Sequence, residues 1–231
     1  MGTTSDRPRI ELVEIIGEFT AASNLTLLAA DASGGKWVYK ADKAMTELWD
    51  FDATTLPRRE VAAFVLSEAL GFDLIPPTSL AEGPLGPGSA QRFVEVDKSV
   101  DLRQWFVPTV SDKLWPLAVF DIIANNADRK LGHLLPEKSR LWAIDNGLTF
   151  HTEPKLRTVL WGLAGREIPE PELAAVAAIE SRLSSDLGRD LLELLNRDSV
   201  DALSTRAQQL LATGIHPLPP TDRPAVPWPM W

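Results

Sequence analysis

The alternation of apolar and polar positions divides the chain into two halves of different character. In the first half, Ile10, Leu12, Val13, Ile15 and Ile16 fall at spacings that predict a short amphipathic helix, stopped near Gly17. Residues 25–29 and 36–40 flank the turn-forming run 31–35 and predict a hairpin. Residues 57–71 predict a longer helix. Pro57 suits its first turn, Gly71 suits its C-terminal cap, and Val61, Phe64, Val65, Ala69 and Leu70 make one apolar face. After the break at Pro76 and Pro77, residues 78–81 and 90–96 predict two strands around a turn over 82–89. Hairpin, helix, hairpin implies a sheet with one helix on a face, an α+β arrangement.

The second half is richer in helix. Leu114, Leu117, Ala118, Phe120, Asp121 and Ile122 predict a buried helix over 112–124, ended by Asn125 and Asn126. Two short strands are expected at 134–135 and 141–144. An irregular stretch follows from Phe150 to Pro169, then helices over 170–182, 186–196 and 200–212, the last stopped by Gly214. The remaining tail holds six prolines and reads as an extended strap or a disordered end; Trp228 and Trp231 favour docking. The expected division is 1–96, 97–215 and 216–231, with 97–99 as the connection between the first two.

Composition narrows the functional classes. A chain of 231 residues can bury a sizeable core, and 45% apolar with 24% charged residues is ordinary for a globular protein. No apolar run approaches the roughly 18 residues of a membrane span, and the polar start does not read as a secretory signal. The absence of cysteine excludes disulfides, thiolate metal sites and a cysteine nucleophile, and fits a cytoplasmic protein. A net charge of −9 argues against nucleic acid as a partner and against unaided docking on anionic lipid. It leaves room for an anionic nucleotide held by a metal and a few local cations. Eight tryptophans against one tyrosine read first as core packing.

Candidate chemistry concentrates in two polar breaks, 125–133 and 141–147. Each ends an apolar run and carries an aspartate, Asp128 and Asp145. One carboxylate that accepts a proton and one that holds a metal are the minimum equipment for phosphoryl transfer. Upstream, Lys40 ends a predicted strand and Glu60 lies in a predicted helix. Taken singly these are a solvated lysine, a favourable first-turn acid and a plain Asp-Asn-Gly turn. Taken in order (strand lysine, helix glutamate, loop aspartate, Asp-x-Gly) they follow the sequence of a kinase catalytic apparatus. The small residues 21–24 precede the first hairpin and would let backbone amides approach a phosphate.

Asn126-Ala127-Asp128-Arg129 together with Ile144-Asp145-Asn146-Gly147 resembles the phosphatidylinositol 3-/4-kinase branch of the protein-kinase-like fold, which includes HipA-type kinases. Arg58-Arg59-Glu60-Val61-Ala62-Ala63-Phe64, Leu70-Gly71-Phe72 and Ile75-Pro76-Pro77-Thr78 resemble that branch's first-lobe helix and next strand. Residues 155–162, 125–130 and the Pro-Trp-Pro tail are similar, more closely, to an uncharacterised actinobacterial family described as phosphatidylinositol-kinase-like. The resemblance covers nearly the whole chain. It implies a minimal two-lobed kinase-like fold, with a small β-rich N-lobe carrying one main helix and a mostly helical C-lobe. It implies ATP as cosubstrate, a divalent metal (Mg²⁺ or Mn²⁺), and a hydroxyl acceptor that is a small molecule, a protein or a lipid. Under it Asp128, Lys40 and Arg129 are catalytic. Ser23, Asn24, Lys40, Glu60, Gln91, Arg92, Phe93 and Val94 bind nucleotide, and His133 and Asp145 bind metal.

Two departures matter. Lys130 stands where the branch has a histidine, and His133 stands where the fold keeps a metal-binding asparagine. Imidazole suits Mn²⁺ better than Mg²⁺, so His133 as a ligand implies a preference for Mn²⁺ or a single-metal site. His133 bonded to a loop carbonyl is the alternative. At the level of function, a nucleotide-binding pseudokinase and transfer of AMP stay open beside phosphotransfer.

Overall fold

The computed structural model describes residues 9–20, 24–106 and 111–230. The first strand, β1 (Ile10–Glu18), replaces the helix expected over 10–16. It pairs antiparallel with β2 (Leu27–Asp31) along one edge and parallel with β4 (Thr78–Gly83) at Ile10 and Glu11 along the other. With β3 (Lys36–Ala41) and β5 (Gly86–Arg92) the strands close a barrel in the order β1-β2-β3-β5-β4. The misreading has a physical cause. Register shifts between Leu12 and Glu14 and between Ile15 and Gly17 break the two-residue alternation, and only Leu12 turns fully inward. The β-branched Ile10, Val13, Ile15 and Ile16 favour the strand nonetheless.

The barrel is filled by Leu12, Leu27, Ala29, Tyr39, Ala41, Ala81 and Ala90. Tyr39 and Ala41 therefore point inward, and Lys36, Val38 and Lys40 point out. Ser89 pairs with Lys40 and Gln91 with Val38, so all four lie on one outer face. Gly88 makes that pairing possible, because a Cβ there would lie 2.2 Å from the carbonyl oxygen of Lys40. Strand β5 begins and ends earlier than the expected 90–96, which leaves Phe93 and Val94 just beyond it.

Helix α1 (Leu56–Leu70) has Pro57 in its first turn and ends at Gly71 in the left-handed conformation, φ 69°. It is buried on nearly all sides, because it packs on β4 and β5 and also against α3 (Glu170–Leu183) and α4 (Asp186–Leu192). One large apolar core thus runs from α1 through α2 (Trp115–Ala124) to α3, α4 and α5 (Arg197–Thr213), apart from the barrel's own. Burying each large apolar side chain there contributes roughly 1.5–3 kcal/mol. The hairpin β6 (Leu134–Glu137) and β7 (Arg140–Ala143) stands beside it. Among the described residues no helix is long and apolar enough to cross a membrane.

The segment after α5 docks on the body of the protein, but not through Trp228, which is 87% exposed. Its main chain makes the contacts: the Ala225 carbonyl accepts from the Thr158 amide (3.1 Å) and the Met230 carbonyl from the Leu131 amide (2.7 Å). Trp231 lies outside the described residues.

Candidate active site

The outer face of β3 presents Lys40 to Glu60, which α1 carries inward; Glu60 is only 3% exposed. The Lys40 ammonium contacts Glu60 Oε1 and also lies 2.7 Å from Asp145 Oδ1. The second Glu60 oxygen accepts from the Asn146 amide at 2.8 Å. One cation therefore ties a strand, a helix and the loop after β7. Burial opposes the charge on Lys40, but the Asp145 and Glu60 carboxylates more than offset it and hold its pKa above the ordinary value. Conversely, the Lys40 charge holds the Asp145 carboxyl well below the usual carboxylate range, against the effect of burial. Asp145 sits at φ 57°, a left-handed backbone that a non-glycine residue rarely adopts.

The β6–β7 hairpin explains how residues 133 and 145 meet. Leu134 pairs with Ala143, and the ladder continues as the Ile144 amide donates to the His133 carbonyl at 2.9 Å. This sets His133 Nε2 3.3 Å from Asp145 Oδ2. Burial lowers the His133 pKa to about 4, against the pull of Asp145, so the imidazole is neutral at pH 7. Its Nδ1 is buried with no hydrogen-bond partner among the described residues. On the preceding turn, Lys130 Nζ lies 3.1 Å from Asp128 Oδ2. Burial raises the Asp128 pKa, and Lys130 partly counters it.

Arg129 does not face this cluster. It is fully enclosed and spends its donors on Asp121 (3.1 Å), the Ile144 carbonyl (2.9 Å) and Asn146 Oδ1 (2.6 Å). It ties α2 to the Asp145 loop from within the core, whereas the sequence reading set it beside Lys40 and Asp128. Asp121 and Asn146 complete this lattice, and neither carries a site role in the sequence reading. An acid inside the otherwise apolar run of α2 was the available signal, since such a residue is buried only with a partner. Asn125 ends α2 at φ 55° and laces the 151–155 segment through the His151 and Glu153 carbonyls and the Lys155 amide. The Asn126 carboxamide oxygen accepts from the Asp128 amide at 2.9 Å, which fixes the start of the loop.

The remaining expected residues scatter around the outer face of the barrel. Gln91 shares the Lys40 face but donates to Thr78 Oγ1 (3.0 Å). Arg92 turns to Glu137 (3.2 Å) and covers the Trp142 ring (5.0 Å to its centroid), so its side chain is spoken for. Phe93 extends the β3 ladder through its amide to the Lys36 carbonyl, and Val94 is buried. The Asn24 carboxamide oxygen accepts from the Thr46 amide at 2.7 Å, which occupies it in the loop between β1 and β2. Ser23 lies outside the described residues.

A carboxylate beside a neutral imidazole is a donor set that fits a divalent ion, and suits Mn²⁺ more than Mg²⁺. Among the described residues no group of three or more His, Asp or Glu side chains gathers to hold a metal. His133 and Asp145 could supply two ligands to such an ion.

No known family pattern matches the chain. Its fold is that of kinases. It superposes on a proinflammatory kinase of Helicobacter pylori, CtkA, with a TM-score of 0.53 and 15% identity, over 88% of this chain and 99% of that one. It superposes equally, at TM-score 0.53 and 13% identity, on the Golgi casein kinase with Mn and ADP bound, over 88% of this chain and 71% of that one. In sequence it is 35% identical over 253 aligned positions to protein Rv2133c of Mycobacterium tuberculosis, spanning 93% of this chain and 91% of that protein. The chain belongs to the family of Rv2133c.

Proposed function

We propose that the chain is an ATP-dependent phosphotransferase that moves the γ-phosphoryl group of ATP to a hydroxyl. The observation that carries this reading is the Lys40 ammonium bridging Glu60 and Asp145, which brings together a strand, a helix and a loop on a kinase-like fold. Lys40 would hold nucleotide phosphates and Glu60 would hold Lys40. Asp128 would take the acceptor's proton as the hydroxyl oxygen bonds to the γ-phosphorus and the bond to the bridging oxygen of ADP breaks. A buried carboxylate with a raised pKa is the better proton acceptor. Asp145 and His133 would hold a divalent ion, which supplies neutralisation of phosphate charge when bound. The Mn and ADP in the Golgi casein kinase support nucleotide and manganese as the pair to test.

In this reading residues 1–96 and 97–215 form the two lobes of a cytoplasmic enzyme, with 216–231 as a strap. The order Asp128-Arg129 supports the phosphatidylinositol-kinase-like branch. The net charge of −9 favours a small-molecule acceptor over a lipid surface. A second reading, a nucleotide-binding pseudokinase, is favoured by one observation: Lys130 engages the carboxylate that would act as base.

Labelled ATP, Mn²⁺ and a cell extract separate the readings. Transfer of γ-label that Asp128→Ala abolishes is the expected result. Nucleotide binding without transfer, unchanged by Asp128→Ala, establishes the pseudokinase. Transfer of α-label instead establishes AMP transfer and overturns the proposal.

A further inference from the structure

The segment that follows α5 has no role in phosphotransfer so far, yet its main chain reaches both sides of the Asp128 loop. It leaves α5 at Gly214 and bonds to the 165–168 segment: Ile168 donates to the Gly214 carbonyl and His216 to the Arg166 carbonyl. Farther on, the Ala225 carbonyl accepts from the Thr158 amide (3.1 Å) and from the Trp161 indole N–H (2.8 Å). Thr158 is itself bridged to Arg129. Last, the Met230 carbonyl accepts from the Leu131 amide at 2.7 Å.

Leu131 occupies a sensitive point. It separates Lys130, which contacts Asp128, from His133, which contacts Asp145. Its tight turn is held inside by the His133 amide on the Lys130 carbonyl. Upstream, the Arg129 amide is fixed on the Arg157 carbonyl; downstream, the Ile144 amide is fixed on the His133 carbonyl. The contact from Met230 secures the stretch between. The strap's composition suits the task. Proline lacks an N–H, so a proline-rich segment brings carbonyls to a surface and few donors that need partners. Its extended form is largely set before docking, which lowers the entropy lost on ordering.

We propose that this strap is a positioning element of the candidate active site: by accepting the Leu131 amide, it fixes the turn that sets Lys130 against Asp128 and His133 against Asp145. Its effect on rate rests on the phosphotransfer reading above; its effect on loop geometry does not.

The test uses the full chain with Pro227→Asp, which places a charge at a buried strap position between the two anchors. A second variant, Trp161→Phe, removes the indole donor to Ala225 and keeps an aromatic ring beside His216. The expected result is amide exchange at Leu131 faster by about tenfold or more, displaced His133 ring signals in NMR, and unchanged exchange across α2. Turnover is expected to fall about tenfold or more while the nucleotide KM moves less than about twofold, because geometry and not binding is lost. Wild-type exchange at Leu131, or unmoved His133 signals in both variants, overturns the proposal. So does unchanged turnover in an active enzyme. A wild-type chain that transfers no phosphoryl group overturns the proposed function instead, and exchange with the His133 signals still decides the strap.

Discussion

Lys40 Nζ lies 2.7 Å from Oδ1 of Asp145, although 105 residues separate them in the chain. The same ammonium contacts Glu60, whose other oxygen accepts from the amide of Asn146, the residue after Asp145. Strand, helix and loop are thus locked through one cation, and the geometry of the loop depends on its charge.

Replacement of Lys40 by methionine should then do two things. Phosphotransfer should fall by about 10²–10³, the usual cost of removing one preorganised charge from such a site. The Asp145 carboxyl should also rise toward the ordinary carboxylate range, since the Lys40 charge is the largest influence holding it down. Carboxyl carbon shifts followed by NMR across acidic pH read the second effect with no nucleotide present. An Asp145 titration identical in both proteins would show that the contact carries little electrostatic weight.

Arg129 and Asp121 make a fully buried ion pair, and the cost of breaking it falls on stability. Arg129→Met takes the guanidinium from Asp121, whose remaining donors include the Thr158 hydroxyl (3.2 Å), and strands a buried carboxylate. Unfolding in urea should show a loss of about 3–5 kcal/mol. The double variant Asp121→Leu with Arg129→Met should recover most of it, because an apolar pair of similar volume removes the desolvation cost. A double variant no more stable than Arg129→Met alone would assign the loss to packing.

What could be read from the sequence followed how local its cause was. Helix α1 was legible because Pro57 and Gly71 mark its ends within one stretch of chain. The barrel was not, because β1 is defined by partners 9 to 71 residues away (Leu27 for Glu18, Ala81 for Ile10) and its bulges blur the alternation. Likewise the order Lys40, Glu60, Asp128, Asp145 was visible, but the approach of His133 to Asp145 follows from the β6–β7 register. The burial of Arg129 was equally hidden, since Asp-Arg reads the same whether the guanidinium faces a cleft or the core.

Acidification should destabilise the fold through its buried imidazoles. His216 is sealed between Trp115 and Trp161, with ring centroids 6.0 and 5.7 Å away. Its Nδ1 lies 2.9 Å from the Pro217 carbonyl, and its Nε2 is buried without a partner among the described residues. Burial lowers its pKa, and lowers that of His133 to about 4. The unfolded chain takes up these protons first, at its unfolded pKa of about 6.5. Stability is therefore fully present above that value and is lost as the pH falls toward the folded pKa values, by up to about 1.4 kcal/mol per pH unit for each histidine. Urea midpoints measured from pH 7.5 to 5 should decline, and less steeply in His216→Phe. An equal slope in that variant would exclude His216 as a contributor.

With Asp145 and a neutral His133 as the protein ligands, nucleotide should bind more tightly with Mn²⁺ than with Mg²⁺, since imidazole suits the softer ion. His133→Asn substitutes an oxygen donor and should narrow or reverse that preference, with Mg²⁺-dependent binding kept or improved. Calorimetric titration of ATP against both proteins, in each metal, measures this without reference to turnover. The comparison also separates a ligand from a structural histidine. If His133 only supports the turn before β6, His133→Asn should weaken binding alike in both metals, and the ratio of the two affinities should not move. Equal affinity with Mg²⁺ and Mn²⁺ in the wild-type chain, unchanged by the substitution, would remove His133 from the metal site and leave Asp145 as the one residue of the pair to hold it.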